Sequence, residues 1–221
     1  ENILNFAAED INVNSGQLFS FSGSGKVYTA DFTAHSEGEY LISVDDESFT
    51  DNAGNDNLPV ESFSWIYDNT PPSVIINISD FENQYITTGD TTNNDSLLLK
   101  INVSEEVLNL NKESITINNG SVTLLSGSEV NYLASLFPES DGRVIINISD
   151  SSFIDIAGNY NSSSNQFIWT YDGTSPILSI TSGNIINGAA TNDKMISLNF
   201  ISNEPIKEFN EEDLMVVNGQ I

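Results

Sequence analysis

One stretch of the chain occurs twice, and this internal repeat constrains the fold more than any other feature of the sequence. Residues 45–72 align without a gap with residues 149–176 at an offset of 104 residues, and 14 of the 28 aligned positions are identical. The identical positions include both tryptophans of the chain, Trp65 and Trp169. Self-similarity at a fixed offset is the signature of a repeat architecture. The chain is therefore predicted to consist of units of about a hundred residues.

The repeat predicts three units, which are named here by their order in the chain. They are the first unit (residues 1–70), the middle unit (71–174) and the last unit (175–221). Only the middle unit contains the whole period, because Glu1 already aligns with Glu105 and the last unit stops early. The outer units are therefore expected to lack some of their sheet partners.

The middle unit is predicted to be all-β. Its apolar residues alternate with polar ones or form short runs bounded by Asn, Asp, Gly and Ser, which is typical of half-buried strands. Seven strands are predicted, at Val74–Ser79, Ser96–Val103, Ser114–Asn118, Ser121–Leu125, Glu129–Leu136, Arg143–Ser149 and Asn165–Tyr171. About seven short strands in a hundred residues indicate an immunoglobulin-like antiparallel β-sandwich, repeated in tandem along the chain.

Turns and core positions follow from the same pattern. The pair Asn119-Gly120 predicts a hairpin between the third and fourth strands, since both residues tolerate positive φ. Residues 111–114 are expected to form one short helical turn. The two sheets are expected to close over Ile76, Leu99, Ile101, Ile115, Ile117, Leu133, Ile146, Phe167 and Trp169.

The charge of the chain excludes several classes of partner. Six basic residues stand against 32 acidic ones, which gives a formal net charge of −26. Nucleic acid and anionic membrane surfaces are therefore not expected as partners, because binding them requires Lys and Arg. The chain has no cysteine, so disulfides and thiolate metal sites are ruled out. Two explanations of the acidity stay open, namely adaptation to salt or secretion and the binding of divalent cations.

The repeated motif resembles a known family. It reads Phe-x-Asp-x-Ala-Gly-Asn, then Phe-x-Trp-x-Tyr-Asp-x-Thr-x-Pro, over residues 49–72 and again over 153–176. This series resembles the tandem bacterial Ig-like repeats of large secreted surface proteins and adhesins. The resemblance implies β-sandwich units that work outside the cell or at its surface. It also implies that calcium stiffens the junctions between units.

The strand order of such a sandwich predicts where acidic side chains meet. The loop between the second and third strands (the B–C loop, 104–106) and the loop between the last two strands (the F–G loop, 150–161) lie beside the linker from the preceding unit. The expected ligands at this junction are Asp68, Glu105, Asp150 and Asp155, with Glu106 as a substitute. The corresponding half-sites in the outer units are Asp172 with Glu204, and Glu1 with Asp46 and Asp51.

Calcium is the cation that suits this junction best. It accepts carboxylates, amide oxygens and carbonyls in a flexible shell of 6–8 oxygens, whereas magnesium requires near-octahedral geometry. The alternative is that Asp-x-x-Gly-Asn is loop chemistry alone, in which Asp and Asn side chains cap backbone amides.

These observations predict a non-enzymatic, extracellular or cell-surface spacer of a bacterial adhesin, whose partners are further repeats of the same chain. The alternative is an adhesion module that binds a surface glycan or a host protein, with Tyr85 and Tyr132 as its candidate residues. His35, the only histidine, is expected to be a surface residue, and no catalytic constellation is evident. Insertion into a membrane is not expected.

Overall fold

The computed structural model describes residues 2–221, and these residues form β-strands joined by turns, with three single-turn 3₁₀ helices. The all-β class predicted from the alternation of apolar residues is confirmed. The strands of the first unit are β1 (Ile3–Leu4), β2 (Ile11–Val13), β3 (Gln17–Ser24), β4 (Val27–Thr33), β5 (Gly38–Val44), β6 (Thr50–Asp51) and β7 (Phe63–Tyr67).

The middle unit contains the most strands. They are β8 (Val74–Ser79), β9 (Tyr85–Ile86), β10 (Thr91–Thr92), β11 (Leu97–Val103), β12 (Val107–Leu108), β13 (Ile115–Asn118), β14 (Gly120–Val122), β15 (Ser126–Ser128), β16 (Asn131–Pro138), β17 (Gly142–Ile148), β18 (Ile154–Asp155) and β19 (Phe167–Tyr171). The last unit contributes β20 (Leu178–Ser182) and β21 (Leu198–Ser202). The 3₁₀ helices span Ala8–Asp10, Lys112–Ser114 and Glu211–Asp213, so the predicted helical turn over 111–114 is present.

Two sheets form the sandwich of the middle unit. One has the strand order β14-β16-β11-β8-β9, with β15 also paired to β16, and the other has the order β10-β19-β17-β13. All pairs are antiparallel except β10 with β19. Residues of both sheets share one buried cluster, from Ile76 and Leu99 on one side to Ile146 and Trp169 on the other. The predicted immunoglobulin-like sandwich is therefore the observed architecture of this unit.

One predicted core residue, Leu133, lies on the outer face instead. In the register of β16, Leu133 pairs with Lys100 and Ser126, and its side chain is 44% exposed. Its neighbour Ala134 pairs with Leu99 and is buried. Side chains alternate between the faces of a strand, so a shift of one residue in the predicted register exchanges core and solvent positions.

The prediction of a hairpin at Asn119-Gly120 was wrong. β13 pairs with β17 in one sheet, and β14 pairs with β16 in the other. The two residues therefore lie where the chain crosses between sheets. Only Asn119 has positive φ (59°), and its side-chain amide donates to the carbonyl oxygen of Ser140 at 2.8 Å. A polar pair suited to positive φ marks a change of direction but does not specify which strands it joins.

The first unit repeats the second half of the middle unit. β5 and β7 pair as β17 and β19 do, and at the offset of 104 residues β4 corresponds to β16 and β3 to β14 and β15. Among residues 2–221, β4 has β3 as its sheet partner, whereas β16 also pairs with β11. As a result Trp65 is half-buried and packs on Phe32 and Tyr40, while the equivalent Trp169 is fully buried.

Candidate metal centre

The linker between β7 and β8 joins the first unit to the middle unit and carries the first carboxylate of the candidate site. Asp68 follows β7 directly, and its Oδ1 accepts a hydrogen bond of 2.9 Å from the backbone amide of Thr70. This bond closes an Asx-turn, in which an aspartate side chain replaces a backbone acceptor. Pro71 and Pro72 come next and fix φ at two further positions. The Asp68 carboxylate is thus held against a linker with little conformational freedom.

The second carboxylate comes from the B–C loop, which begins where β11 ends. The amide of Ser104 donates to the carbonyl oxygen of Ser73 at 3.0 Å, and Ser104 Oγ accepts from the amide of Ser73 at 3.0 Å. Ser104 Oγ also lies 3.4 Å from Oε1 of Glu105. This pair of bonds ties the B–C loop to the linker and places Glu105 beside it.

The third carboxylate comes from the F–G loop. Asp155 lies in β18, which pairs with β12, and its side chain is 1% exposed. Oδ1 accepts the amide of Asn159 at 2.8 Å, and Oδ2 accepts the side-chain amide of the same residue at 2.8 Å. Gly158 adopts a φ of 95°, which an L-residue with a side chain rarely adopts. The tight loop wraps its own backbone around the Asp155 carboxylate.

Asn161 holds the F–G loop in this shape. Its side chain is almost completely buried, and Oδ1 accepts the amides of Ser152 (2.7 Å) and Phe153 (2.9 Å). Its Nδ2 donates to the carbonyl oxygens of Ser149 and Ser162, both at 2.8 Å. Every hydrogen-bonding position of this amide is used, as expected for a buried polar side chain.

Asp68, Glu105 and Asp155 meet at one place. Each offers a carboxylate oxygen, and these three oxygens lie within 4.8 Å of one another. Within residues 2–221 this is the one group of three or more potential metal ligands of this kind. Burial, and then repulsion by Asp68 and Asp155, raise the pKa of Glu105 above its ordinary value. Burial and the two neighbouring anions both disfavour the charged form of Glu105.

Asp155 responds differently to the same surroundings. Burial alone would raise the pKa of Asp155, but hydrogen bonds from the side chain and amide of Asn159, and from the amides of Gly158 and Ala157, outweigh it and lower the pKa. Hydrogen bonds to the charged form of an acid favour that form. Asp155 is therefore kept as an anion at neutral pH.

Two of the predicted residues at this junction lie outside the group. Asp150 is exposed in the turn that opens the F–G loop, and Glu106 is exposed in the B–C loop. Glu106 is close enough to Tyr132 to contribute, after burial, to a raised pKa of that phenol. The B–C loop therefore brings Glu105, and not Glu106, into the group.

The predicted half-sites have fewer ligands in place. Asp51 accepts amide hydrogen bonds of 2.7 and 2.9 Å from its own loop, as Asp155 does, whereas Asp46 is exposed. Glu1 lies outside the described residues. Asp172 and Glu204 are both half-buried, and Oε1 of Glu204 is shielded from solvent without a hydrogen-bond partner among residues 2–221. These residues form no group of three carboxylates in the described part of the chain.

Sequence reasoning missed the acidic residue of the turn before β5 and its counterpart before β17. Glu37 and Asp141 are aligned at the offset of 104 residues, within Ser36-Glu37-Gly38 and Ser140-Asp141-Gly142. Both accept hydrogen bonds from the linker that follows their unit. The repeated triplet is a signal in the sequence, but it lies outside the B–C and F–G loops that strand order places at the junction.

The fold and the site define a class of protein. Two packed antiparallel sheets with this strand order, repeated along a chain and joined at an acidic junction, are characteristic of tandem immunoglobulin-like β-sandwiches. A family model described as "Bacterial Ig-like domain" matches residues 1–65 and 68–170. The chain belongs to this family, which confirms the resemblance carried by the repeated motif. Comparison with curated proteins and with solved structures finds no significant match. Within residues 2–221 there is no helix with the length and apolar character needed to cross a membrane.

Proposed function

We propose that this chain is a non-enzymatic, extracellular spacer of a bacterial surface protein of the adhesin type, in which Ca²⁺ rigidifies the junctions between units. Asp68, Glu105 and Asp155 would hold the ion. The observation that carries the proposal is the approach of their three oxygens to within 4.8 Å, although they belong to a linker and two separate loops. Bacterial Ig-like domains are typically extracellular structural modules, which supports the spacer role.

The charge of the site favours a divalent cation. Burial raises the pKa of Glu105, and repulsion by Asp68 and Asp155 raises it further; a bound cation would offset this repulsion. Among residues 2–221, one ion pair joins a basic side chain to an acidic one. Lys112 Nζ lies 3.9 Å from Glu113 Oε1 on the surface. The basic side chains of the chain therefore do not neutralise the junction.

The chemistry of the donors favours calcium over other divalent cations. All three side chains offer hard oxygen ligands, and calcium accepts 6–8 such oxygens with flexible geometry, so that water and backbone carbonyls complete its shell. Two of the three ligands come from the middle unit and one from the linker that leaves the first unit. An ion shared among them would restrict rotation between the two units.

Calorimetry of matched variants tests the metal. The melting temperature of the chain is measured in EDTA and in calcium chloride for the wild type, Glu105→Gln and Glu106→Gln. We expect calcium to raise the melting temperature of the wild type and of E106Q, because Glu106 is exposed and lies outside the group of three carboxylates. The shift should be lost in E105Q. An equal calcium shift in all three proteins would exclude this site as its origin.

Small-angle scattering tests the mechanical role. If calcium rigidifies the junction, the maximum dimension and the radius of gyration should both fall when EDTA is added to the calcium-loaded chain. Magnesium at the same concentration should restore less of the maximum dimension than calcium does, since magnesium dehydrates reluctantly. Scattering curves that coincide with and without calcium would remove stiffening from the proposal and leave only binding.

The alternative function, recognition of a glycan or a host protein, depends on exposed aromatic residues. Tyr85 is 66% exposed, but Lys100 Nζ lies 4.9 Å from the centre of its ring and occupies one face. Tyr132 packs against the core cluster. A glycan array probed with the full chain distinguishes the two functions, because a spacer should give no signal and an adhesion module should select a glycan that Tyr85→Ala no longer binds.

A further inference from the structure

The linker between the first and middle units is held by hydrogen bonds from both units, and these contacts alternate along its length. The carbonyl oxygen of Asp68 accepts a hydrogen bond of 3.1 Å from Asn159 of the middle unit. The next two residues, Asn69 and Thr70, bond instead to Glu37 of the first unit. The carbonyl oxygen of Pro72 then bonds to the middle unit again.

The contact with the first unit is made by one carboxylate. Oε1 of Glu37 accepts the amide of Asn69 at 2.9 Å, and Thr70 Oγ1 lies 2.8 Å from Oε1 and 2.7 Å from Oε2. Glu37 belongs to the turn just before β5, 32 residues from Asn69 in the chain. Hydrogen bonds to an ionised acceptor are stronger than those between neutral groups. This contact therefore fixes the linker to the body of the first unit.

The contacts with the middle unit lie on either side of it. Asn159 holds the carbonyl of Asp68, while the amide and hydroxyl of Ser162 reach the carbonyl of Pro72 at 3.0 and 3.3 Å. Ser104 bonds to Ser73 immediately beyond. Rotation of one unit about the linker would have to break either the Glu37 contacts or those on both sides of them.

We propose that Glu37 is a positioning residue that locks the orientation of the first unit relative to the middle unit without a metal ion. The lock consists of the Glu37 carboxylate with the Asn69 amide and the Thr70 hydroxyl, enclosed between two contacts of the linker with the middle unit. Calcium at the neighbouring carboxylates would add to an orientation that already exists. The lock shares the junction with the proposed function but does not depend on it.

The acidic contact recurs at the second junction. Asp141 accepts the amide of Gly173 at 2.7 Å and the hydroxyl of Thr174. These hydrogen bonds, that of Thr174 first, lower the pKa of Asp141. Beyond them, Asn203 bonds to the backbone of Ile177 in the way that Ser104 bonds to Ser73. The contact therefore occurs twice, with Glu37 at the first junction and Asp141 at the second. The repeat keeps an acidic side chain at this position, although the type of residue differs.

Distance measurements between spin labels test the lock in the full chain. Because the chain has no cysteine, nitroxide labels at Lys26→Cys in the first unit and Ser121→Cys in the middle unit report one inter-unit distance. Both positions are exposed and lie outside the junction contacts. All samples contain EDTA, so that any effect of calcium is removed. We expect a single narrow distance distribution for the protein with no further substitution.

The substitutions remove each side of the contact in turn. Glu37→Ala and Thr70→Val should both lose the narrow peak, and T70V does so without changing the charge of the junction. Thr70→Ser keeps the hydroxyl and should keep the narrow peak. Glu61→Ala, which removes an exposed acid of the same unit without a hydrogen-bond partner among residues 2–221, should also keep it.

Two results would overturn the lock. One is a distribution as narrow in T70V as in the unsubstituted protein, and the other is a distribution as broad in T70S as in T70V. Calcium added afterwards to the same labelled samples tests the proposed function separately. A distribution that is broad in EDTA and narrows with calcium would contradict the lock and support the metal. A distribution that is narrow in EDTA and narrows further with calcium would support both the lock and stiffening by calcium. A narrow distribution that calcium leaves unchanged would support the lock and contradict stiffening by calcium.

Discussion

Asn159 Nδ2 donates a hydrogen bond of 3.1 Å to the carbonyl oxygen of Asp68. This bond joins the F–G loop of the middle unit to the last residue before the linker turn. The same amide group donates to Oδ2 of Asp155 at 2.8 Å. One side chain therefore connects two residues that carry carboxylates of the candidate metal centre. It arranges the ligands through its hydrogen bonds and contributes no charge of its own.

Replacement of this side chain should weaken the junction and the loop together. We expect Asn159→Ala to lower the free energy of unfolding by about 1–3 kcal/mol, because the buried Asp155 loses a donor. It should also raise the pKa of Asp155 toward its ordinary value, since that donor favours the anion. Chemical denaturation measures the first effect, and NMR titration of the carboxyl carbon measures the second.

The matched control for this prediction is Asn55→Ala. Asn55 donates to Asp51 at 2.8 Å in the equivalent loop of the first unit. Within residues 2–221 its side chain makes no hydrogen bond to a linker, so N55A should affect its own loop only. Because Asn159 arranges the ligands, N159A should also lower calcium affinity at the candidate metal centre. An equal loss of affinity in N55A would contradict this role of Asn159.

The raised pKa of Glu105 predicts how the metal-free protein responds to pH. Between the ordinary glutamate pKa of about 4.3 and the raised native value, the folded state binds more protons than the unfolded state. Stability in EDTA should therefore fall as pH rises through this window, once the same titration of Glu105→Gln has been subtracted. A difference curve that is flat across the window would contradict the raised pKa of Glu105, and with it the burial and repulsion that cause it.

Calcium affinity should rise with pH, whereas the stability of the metal-free protein should fall. A metal ligand must be deprotonated, so calcium must displace the proton that Glu105 retains at low pH. Affinity measured by isothermal titration calorimetry is expected to rise with pH through the same window and then level off. Binding that releases no protons within the window would place the ion elsewhere.

Asn161 should be the most sensitive polar position in the middle unit. Its amide makes four hydrogen bonds in a nearly solvent-free loop, so Asn161→Ala leaves several backbone groups unpaired and should cost about 3 kcal/mol or more. Asn57 makes equivalent bonds in the first unit but is more exposed, so N57A should cost less. Thermal denaturation of both variants gives the comparison, and equal losses would show that burial is not the cause.

The two tryptophans give a further matched pair. Trp169 is fully buried, and Trp169→Ala should destabilise the middle unit by about 3–5 kcal/mol, as expected when a large core side chain is removed. Trp65 occupies the same place in the repeat but remains half-exposed, so Trp65→Ala should have a smaller effect on unfolding followed by circular dichroism. A larger effect at Trp65 would mean that the first unit is more tightly packed in solution.

Much of the fold could be predicted because the long strands carry their own pattern. The seven strands predicted from alternation correspond to β8, β11, β13, β14, β16, β17 and β19. The strands of the middle unit that were not predicted, such as β12 (Val107–Leu108) and β18 (Ile154–Asp155), are two or three residues long and too short to show alternation. Leu133 shows a second limit, since its register is fixed by its partner strands and not by its own sequence.

The junction could be predicted only in outline. Strand order places the linker, the B–C loop and the F–G loop together, and this was enough to bring Asp68, Glu105 and Asp155 into one group. Which acid of a loop points inward depends on the turn geometry, so Asp150 and Asp155 could not be separated from sequence. Glu37 was not predicted because its triplet, although repeated at Ser140-Asp141-Gly142, lies outside the loops that strand order brings to the junction.

The alternating attachment of the linker has a mechanical consequence. Asp68 is tied to the unit ahead, Thr70 to the unit behind and Pro72 again to the unit ahead, so the linker has no slack to release under tension. A pulling force on the chain would load these bonds at once. The joint would then lengthen in a step when they break, and not gradually as a free tether does.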